Sequence, residues 1–386
     1  MDRRRRLSDQ GTSYLVLART LYDGRRTAPR QDMAICVAGG TITEVRPARD
    51  DDQPAVTADI ICPGFVDMQI NGANDVQFND TPTADGVAAI AKGARQAGTT
   101  HILPTFITAP GTDYLSAIKA VAEARKADTP GILGVHLEGP FLSPERPGIH
   151  PADCVRKLDD ADVANLQAAN CGIRLITLAP ECAPDGAIQS LSSSGAIVFA
   201  GHSAATYDDI ANATQNGLRG ATHLFNAMSQ LTGREPGVVG AVLGSQDLFA
   251  GVIADGVHVH PSNLQLAQKA LGNGFCLVTD AMLTLAGETT EFEIYGTEIH
   301  RDGNRLSDAT GRLAGAHLAM DEAVRNIVQW CDVSLAEALY MASVNPIHAL
   351  GLETQMGHIE PGYSASMTLL NSDIHAVGTI VDGRIF

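Results

Sequence analysis

Several things are missing from this chain of 386 residues. No apolar stretch approaches the roughly 18 residues needed to cross a bilayer, so no membrane span or membrane partner is expected. Basic residues are scarce: 27 Lys and Arg against 44 Asp and Glu give a net charge of −17. That balance excludes the clustered positive surface on which nucleic-acid binding depends. The seven cysteines (36, 62, 154, 171, 182, 276 and 331) are odd in number, scattered, and contain no CxxC pair. They read as reduced thiols of a cytoplasmic protein, not as a disulfide framework or a zinc knuckle. Arg3 to Arg6 are followed by no apolar h-region, so residues 1–12 are expected to be a flexible basic tail and not a signal peptide.

Familiar chemical signatures are missing too. There is no GxGxxG or GxxxxGK[ST] phosphate loop, no GxSxG elbow and no HExxH helix. The first absence weakens a doubly wound nucleotide-binding sheet, and the second leaves nucleophilic serine chemistry without a scaffold.

What the chain does contain is a strand–helix alternation. Short apolar runs recur at Phe65–Ile70, His101–Phe106, Ile132–Leu137, Ile173–Leu178, Ala196–Ala200, Ala221–Phe225, Leu248–Ala254 and Phe275–Thr279. Helical stretches lie between most of them. Leu115, Ile118, Val121 and Ala122 share a helical spacing begun by Thr112 or Asp113. Thr206 with Asp209, and Ser334 with Glu337, are capping-box starts. Eight such units in about 290 residues predict a (β/α)8 TIM-like barrel over residues 63–352. Both ends of the chain hold β-branched runs between turn residues, and neither alone has enough strands to bury a face. They are therefore paired into one small β-sandwich domain, residues 1–62 with 353–386.

Polar residues stand at the ends of the apolar runs: Asp67, Gln69 and Asn71; Thr105; Glu138; Glu181; His202; His223; Asp255 and His258; Asp280. In a barrel these strand ends meet on one face, where active sites are built. Glu138, His202 and His223 come from three different strands and supply the nitrogen and oxygen ligands of a catalytic divalent ion with one open position. Read alone, a single histidine here is more often a hydrogen-bonded core residue, and it is the joint placement that favours ligation. Asp280 ends a fully apolar strand. It reads either as a proton acceptor beside ion-activated water or as a helix N-cap. His101, His300, His317, His348 and His375 have no site-like context and are read as structural or surface residues.

A set of motifs narrows the reading: PGFVDMQING (63–72), GVHLEGPF (134–141), AGHSAAT (200–206), ATHLFNAM (221–228), TGREPG (232–237), IADGVHV (253–259), LVTDAM (277–282) and LAGAHLAM (313–320). In this order the chain resembles the N-acetylglucosamine-6-phosphate deacetylases of the amidohydrolase superfamily, from about Ile60 to the end. HLEGP, GHS and THLFNAM carry the specificity; PGFxD alone indicates only an amidohydrolase. The resemblance implies metal ligation by Glu138, His202 and His223 and acid–base work by Asp280. It also implies substrate contacts at Asn226, Ala227, His258 and His150. Arg234 becomes a phosphate-binding arginine reaching across a homodimer, with a plain surface loop charge as the alternative. Where much of the superfamily has His-x-His for a second metal, this chain has Gln69 and Asn71. One metal per subunit is expected, Zn²⁺ first, with Fe²⁺, Co²⁺ or Mn²⁺ as alternatives. Ser366 likewise stands where the superfamily often has Asp. The implied reaction removes the acetyl group of N-acetyl-D-glucosamine 6-phosphate, in amino-sugar catabolism or cell-wall sugar recycling. The rivals are N-acetylgalactosamine 6-phosphate or another amide as substrate, and a binding protein without catalysis. The segment Glu288–Arg312 is expected as a β-hairpin over the barrel mouth.

Overall fold

A computed structural model describes residues 13–386; the tail expected at 1–12 lies outside the described residues. Eight strands lie side by side in chain order: Phe65–Ile70, Thr99–Ile107, Gly134–Glu138, Ile173–Leu178, Ile197–Ala200, Leu218–Ala221, Phe249–Ile253 and Phe275–Val278. Each pairs in parallel with the next. The last meets the first through Asp280 N–H to the Gln69 carbonyl (2.9 Å) and Asn71 N–H to the Ala281 carbonyl (2.8 Å), which closes the barrel. Parallel strands buried on both faces read as continuous apolar runs, and this is why the pattern was visible in the sequence.

One strand is displaced from expectation. The run at 221–225 was read as the sixth strand, yet that strand is Leu218–Ala221. His223 (φ +31°), Phe225 (φ +80°) and Ala227 (φ +48°) take left-handed backbone, which no strand tolerates. The apolar run instead continues past the strand into the loop that presents His223.

The helices follow their capping signals. Thr206 and Ser334 close full capping boxes with Asp209 and Glu337. In the helix Tyr114–Lys126 the buried face is Tyr114, Ala117, Ile118, Val121 and Ala124. Leu115, assigned to that face from spacing, is 38% exposed.

Both termini contribute to one seven-stranded sheet. It runs, in spatial order, Arg384–Ile385, Ala376–Val381, Met367–Leu370, Val56–Pro63, Ser13–Leu21, Arg30–Ala38 and Thr41–Pro47. The expected sandwich is thus a single sheet rolled over its own apolar face, with Val16, Ile35, Ile42, Ile61, Met367 and Ile380 inside. Its two ends meet so closely that a Cβ on Gly383 would lie 2.6 Å from the Gly40 Cα. The expected hairpin over the mouth is larger than anticipated: a four-stranded antiparallel sheet of Glu291–Ile294, Thr297–Asp302, Arg305–Ser307 and Leu313–Ala316. Among the described residues no helix is long and apolar enough to cross a membrane.

Candidate metal and catalytic site

The carboxyl ends of the barrel strands surround a cleft of 430 Å³ lined by Asn71, Glu138, His150, His202, His223, Asn226, Ala227, His258 and Asp280, among others. Glu138, His202 and His223, drawn from three strand ends, converge at its floor. Glu138 Oε1 is 2.8 Å from His223 Nε2 and 3.2 Å from His202 Nε2, and the two Nε2 atoms are 3.0 Å apart.

These residues fit a divalent ion. His202 Nδ1 lies 3.0 Å from the Arg146 carbonyl, which can only accept, so the proton sits on Nδ1. In the tautomer with its single proton there, Nε2 is a bare acceptor facing a carboxylate, an arrangement that calls for a cation between them. Bonds near 2.0–2.2 Å would set tetrahedral ligand atoms roughly 3.4 Å apart, close to the spacing seen. Although burial alone would raise it, the imidazoles of His202 and His223 beside it hold the Glu138 carboxyl well below the usual carboxylate range.

Asp280 stands beside this cluster in left-handed backbone (φ +50°), as does His202 (φ +47°). Such non-glycine residues cost of order 1–3 kcal/mol each and collect at functional sites. Asp280 Oδ1 accepts from Asn71 Nδ2 (2.7 Å) and Gln69 Nε2 (3.1 Å). The same Gln69 amide lies 3.3 Å from each Glu138 oxygen. At both positions the amide N–H groups face carboxylates and donate to them. Burial, reinforced by the Glu138 charge, pushes the Asp280 carboxyl up to about 6.

The remaining expected residues divide. His258 lines the cleft with its Nδ1–H on Asp255 Oδ2 at 2.6 Å, and Asp255 Oδ1 also accepts the backbone N–H of Val257 and His258. Asp255 is therefore the holder of His258. His150 packs at a tilt against His202 with ring centroids 4.2 Å apart, and its Nδ1 meets Thr108 Oγ1 at 2.8 Å. The chain passes so close to His202 that a Cβ on Gly148 (φ +58°) would lie 3.0 Å from its ring. Asn226 ties its amide to the carbonyls of His223 and Leu224, beside Ala227. Arg234 is not brought to the cleft: it lies exposed on the loop before the helix Gly237–Leu243.

Other polar residues do work that the sequence did not assign. Glu181, read with the acids of the mouth, accepts from Ser203 Oγ (2.7 Å) and Ala204 N–H (2.6 Å), fixing the turn that follows His202. His136 lies two residues before Glu138 on the same strand face, the alternation that could have flagged it. It meets Thr177 Oγ1 at 2.7 Å, and burial pushes its ring down to about 4, so it is neutral. Arg312 reaches the cleft rim and donates to the Gly148 carbonyl. It thereby fastens the four-stranded sheet to the loop before His150.

The sequence profile of the Amidohydrolase family matches residues 60–386, and the chain belongs to that family. Relatives that it matches over nearly its whole length include deacetylases of phosphorylated amino sugars. A protein of Shewanella sp. (strain ANA-3) named N-acetylgalactosamine-6-phosphate deacetylase is 38% identical over 92% of this chain and 90% of its own. One from Haemophilus influenzae named N-acetylglucosamine-6-phosphate deacetylase is 35% identical over 95% of this chain and 96% of its own. The crystal structure of N-acetylglucosamine-6-phosphate deacetylase from Pasteurella multocida superposes with a TM-score of 0.92 at 34% identity. It covers 97% of this chain and 100% of that one.

Proposed function

We propose that this protein hydrolyses the N-acetyl group of N-acetyl-D-glucosamine 6-phosphate to D-glucosamine 6-phosphate and acetate. The observation that carries the reading is the buried Glu138–His202–His223 cluster with the Asp280 carboxylate beside it in one cleft. Similarity to deacetylases along nearly the whole chain supports the substrate class. One divalent ion per subunit, Zn²⁺ by preference, fits two imidazoles and a carboxylate. When bound it supplies Lewis acidity at the acetyl carbonyl and makes water a stronger acid.

The chain's own residues do the rest. The Asp280 carboxylate takes a proton from water as the water oxygen bonds to the acetyl carbon. It returns that proton to the amide nitrogen as the C–N bond breaks, so that acetate and a free amine leave. Gln69 and Asn71 orient the carboxylate by their hydrogen bonds, and His258, held by Asp255, offers Nε2 to the substrate. His150 joins them as a second imidazole on the sugar. Asn226 and the Ala227 backbone hold the phosphate side, which lowers the barrier by orienting the amide.

Arg234 completes the phosphate site from a neighbouring subunit of a homodimer. Its loop carries exposed Leu231 (58%), and Tyr207 (45%), whose backbone N–H binds the loop's Glu235, is exposed as well. Apolar side chains beside an arginine suit an interface better than a solvated loop. Seven free cysteines suit the reducing cytoplasm.

A second reading, N-acetylgalactosamine 6-phosphate as the substrate, is favoured by the Shewanella relative. The test is kcat/KM for acetate release from the two epimeric 6-phosphates, with an Arg234→Ala protein alongside. The gluco epimer is expected to be the better substrate. Arg234→Ala is expected to raise KM for it by about tenfold or more, since a charge-assisted hydrogen bond contributes roughly 1.5–3 kcal/mol. A galacto preference moves the assignment to the second reading. An unchanged KM removes Arg234 from the phosphate site.

A further inference from the structure

Asp67 is a buried carboxylate that the proposed reaction leaves unused. It sits on the first barrel strand where that strand meets the eighth, the one seam of the barrel without a regular ladder. Its side chain is 0% exposed and accepts three hydrogen bonds. Gln69 N–H (3.1 Å) and Thr279 N–H (3.3 Å) donate to Oδ1, and Thr279 Oγ1–H (2.5 Å) donates to Oδ2. Thr279 Oγ1 in turn accepts the N–H of Ala281 at 3.2 Å. The residues on either side of Asp280 are therefore tied, through one hydroxyl, to one buried acid. Asp280 itself gives its N–H to the Gln69 carbonyl (2.9 Å) and holds the left-handed φ of +50° that turns its side chain into the cleft.

A seam between strands can be closed by backbone bonds at no desolvation cost, whereas a buried carboxylate is expensive unless its acceptor capacity is used. Here two of its three bonds come from Thr279, the residue preceding Asp280. An amide at position 67 would turn an N–H₂ towards the Thr279 hydroxyl. The hydroxyl proton would then have only a longer contact to the Gln69 carbonyl at 3.4 Å. The clamp on 279–281 depends on an acid at 67 and a hydroxyl at 279.

We propose that Asp67, acting through Thr279, is a positioning residue for Asp280, fixing the backbone turn that aims its carboxylate into the cleft. The proposal rests on the reading of Asp280 as the proton-transfer group. The experiment compares Asp67→Asn, Thr279→Val and Thr279→Ser with the parent protein for kcat, KM, bound metal and crystal structure. Misplacement of a reacting group by about 1 Å can cost 10²-fold. Asp67→Asn and Thr279→Val are therefore expected to lose about 10- to 100-fold in kcat, with KM and metal content within about twofold. Thr279→Ser keeps the hydroxyl and is expected to retain kcat within about threefold. In the crystal structures of the first two variants Asp280 should leave its contacts with Gln69 and Asn71 while Glu138, His202 and His223 stay in place. An Asp280 that has not moved overturns the proposal whatever the substrate. So does a fall in kcat that only tracks lost metal or lost folded protein in all three variants. A parent protein that releases no acetate, with Asp280 displaced in the two variants, sinks the substrate reading and leaves the positioning role standing.

Discussion

An Asp280→Asn protein is expected to bind its metal normally and turn over about 10²- to 10⁴-fold more slowly, the usual worth of a positioned general acid–base group. The exchange preserves shape but removes the cleft carboxylate that accepts from both Gln69 and Asn71. An amide can neither take a proton from water nor return one to the departing nitrogen. At 1.36 kcal/mol per tenfold the expected loss is about 3–5 kcal/mol of transition-state stabilisation. Because Glu138, His202 and His223 are untouched, metal content and KM should hold. Full turnover by a metal-loaded Asp280→Asn protein removes Asp280 from the chemistry.

The second large effect is on the metal itself. Glu138 is the one anionic member of its cluster, and its Oε1 lies within 3.2 Å of both imidazoles. Glu138→Gln substitutes a poor ligand for a good one. Changes even one shell further out cost 10–100-fold in metal affinity, so a loss above about 100-fold is expected here. Elemental analysis of the purified variant should find little metal. Its unfolding temperature should no longer rise with added Zn²⁺, as that of the parent should by mass action. Metal retained at the parent level means that the ion is held elsewhere.

Much of this site was legible because barrel geometry converts sequence order into convergence: Glu138, His202 and Asp280 each follow an apolar run, His223 stands within one, and all four reach one cleft. The sixth strand was misplaced for a physical reason. Hydrophobicity reports burial, and Leu224 is fully buried in a loop whose φ values forbid a strand. Supporting residues were harder to read. Glu181 and Asp67 carry the same side-chain chemistry as the acids of the cleft, and only the fold turns one towards Ser203 and the other towards Thr279. Arg234 shows the opposite limit, since one chain does not bring it to the cleft. The four-stranded sheet was foreseen only as a hairpin because the strand Arg305–Ser307 is too short to show an alternation.

The measurement that tests the account most directly is acetate release by purified, metal-analysed protein offered N-acetylglucosamine with and without its 6-phosphate, before and after chelation. The account predicts release from the phosphorylated sugar alone, abolished by the chelator and restored by Zn²⁺. Release from neither sugar by protein carrying about one metal per chain, or equal release from both, would contradict it.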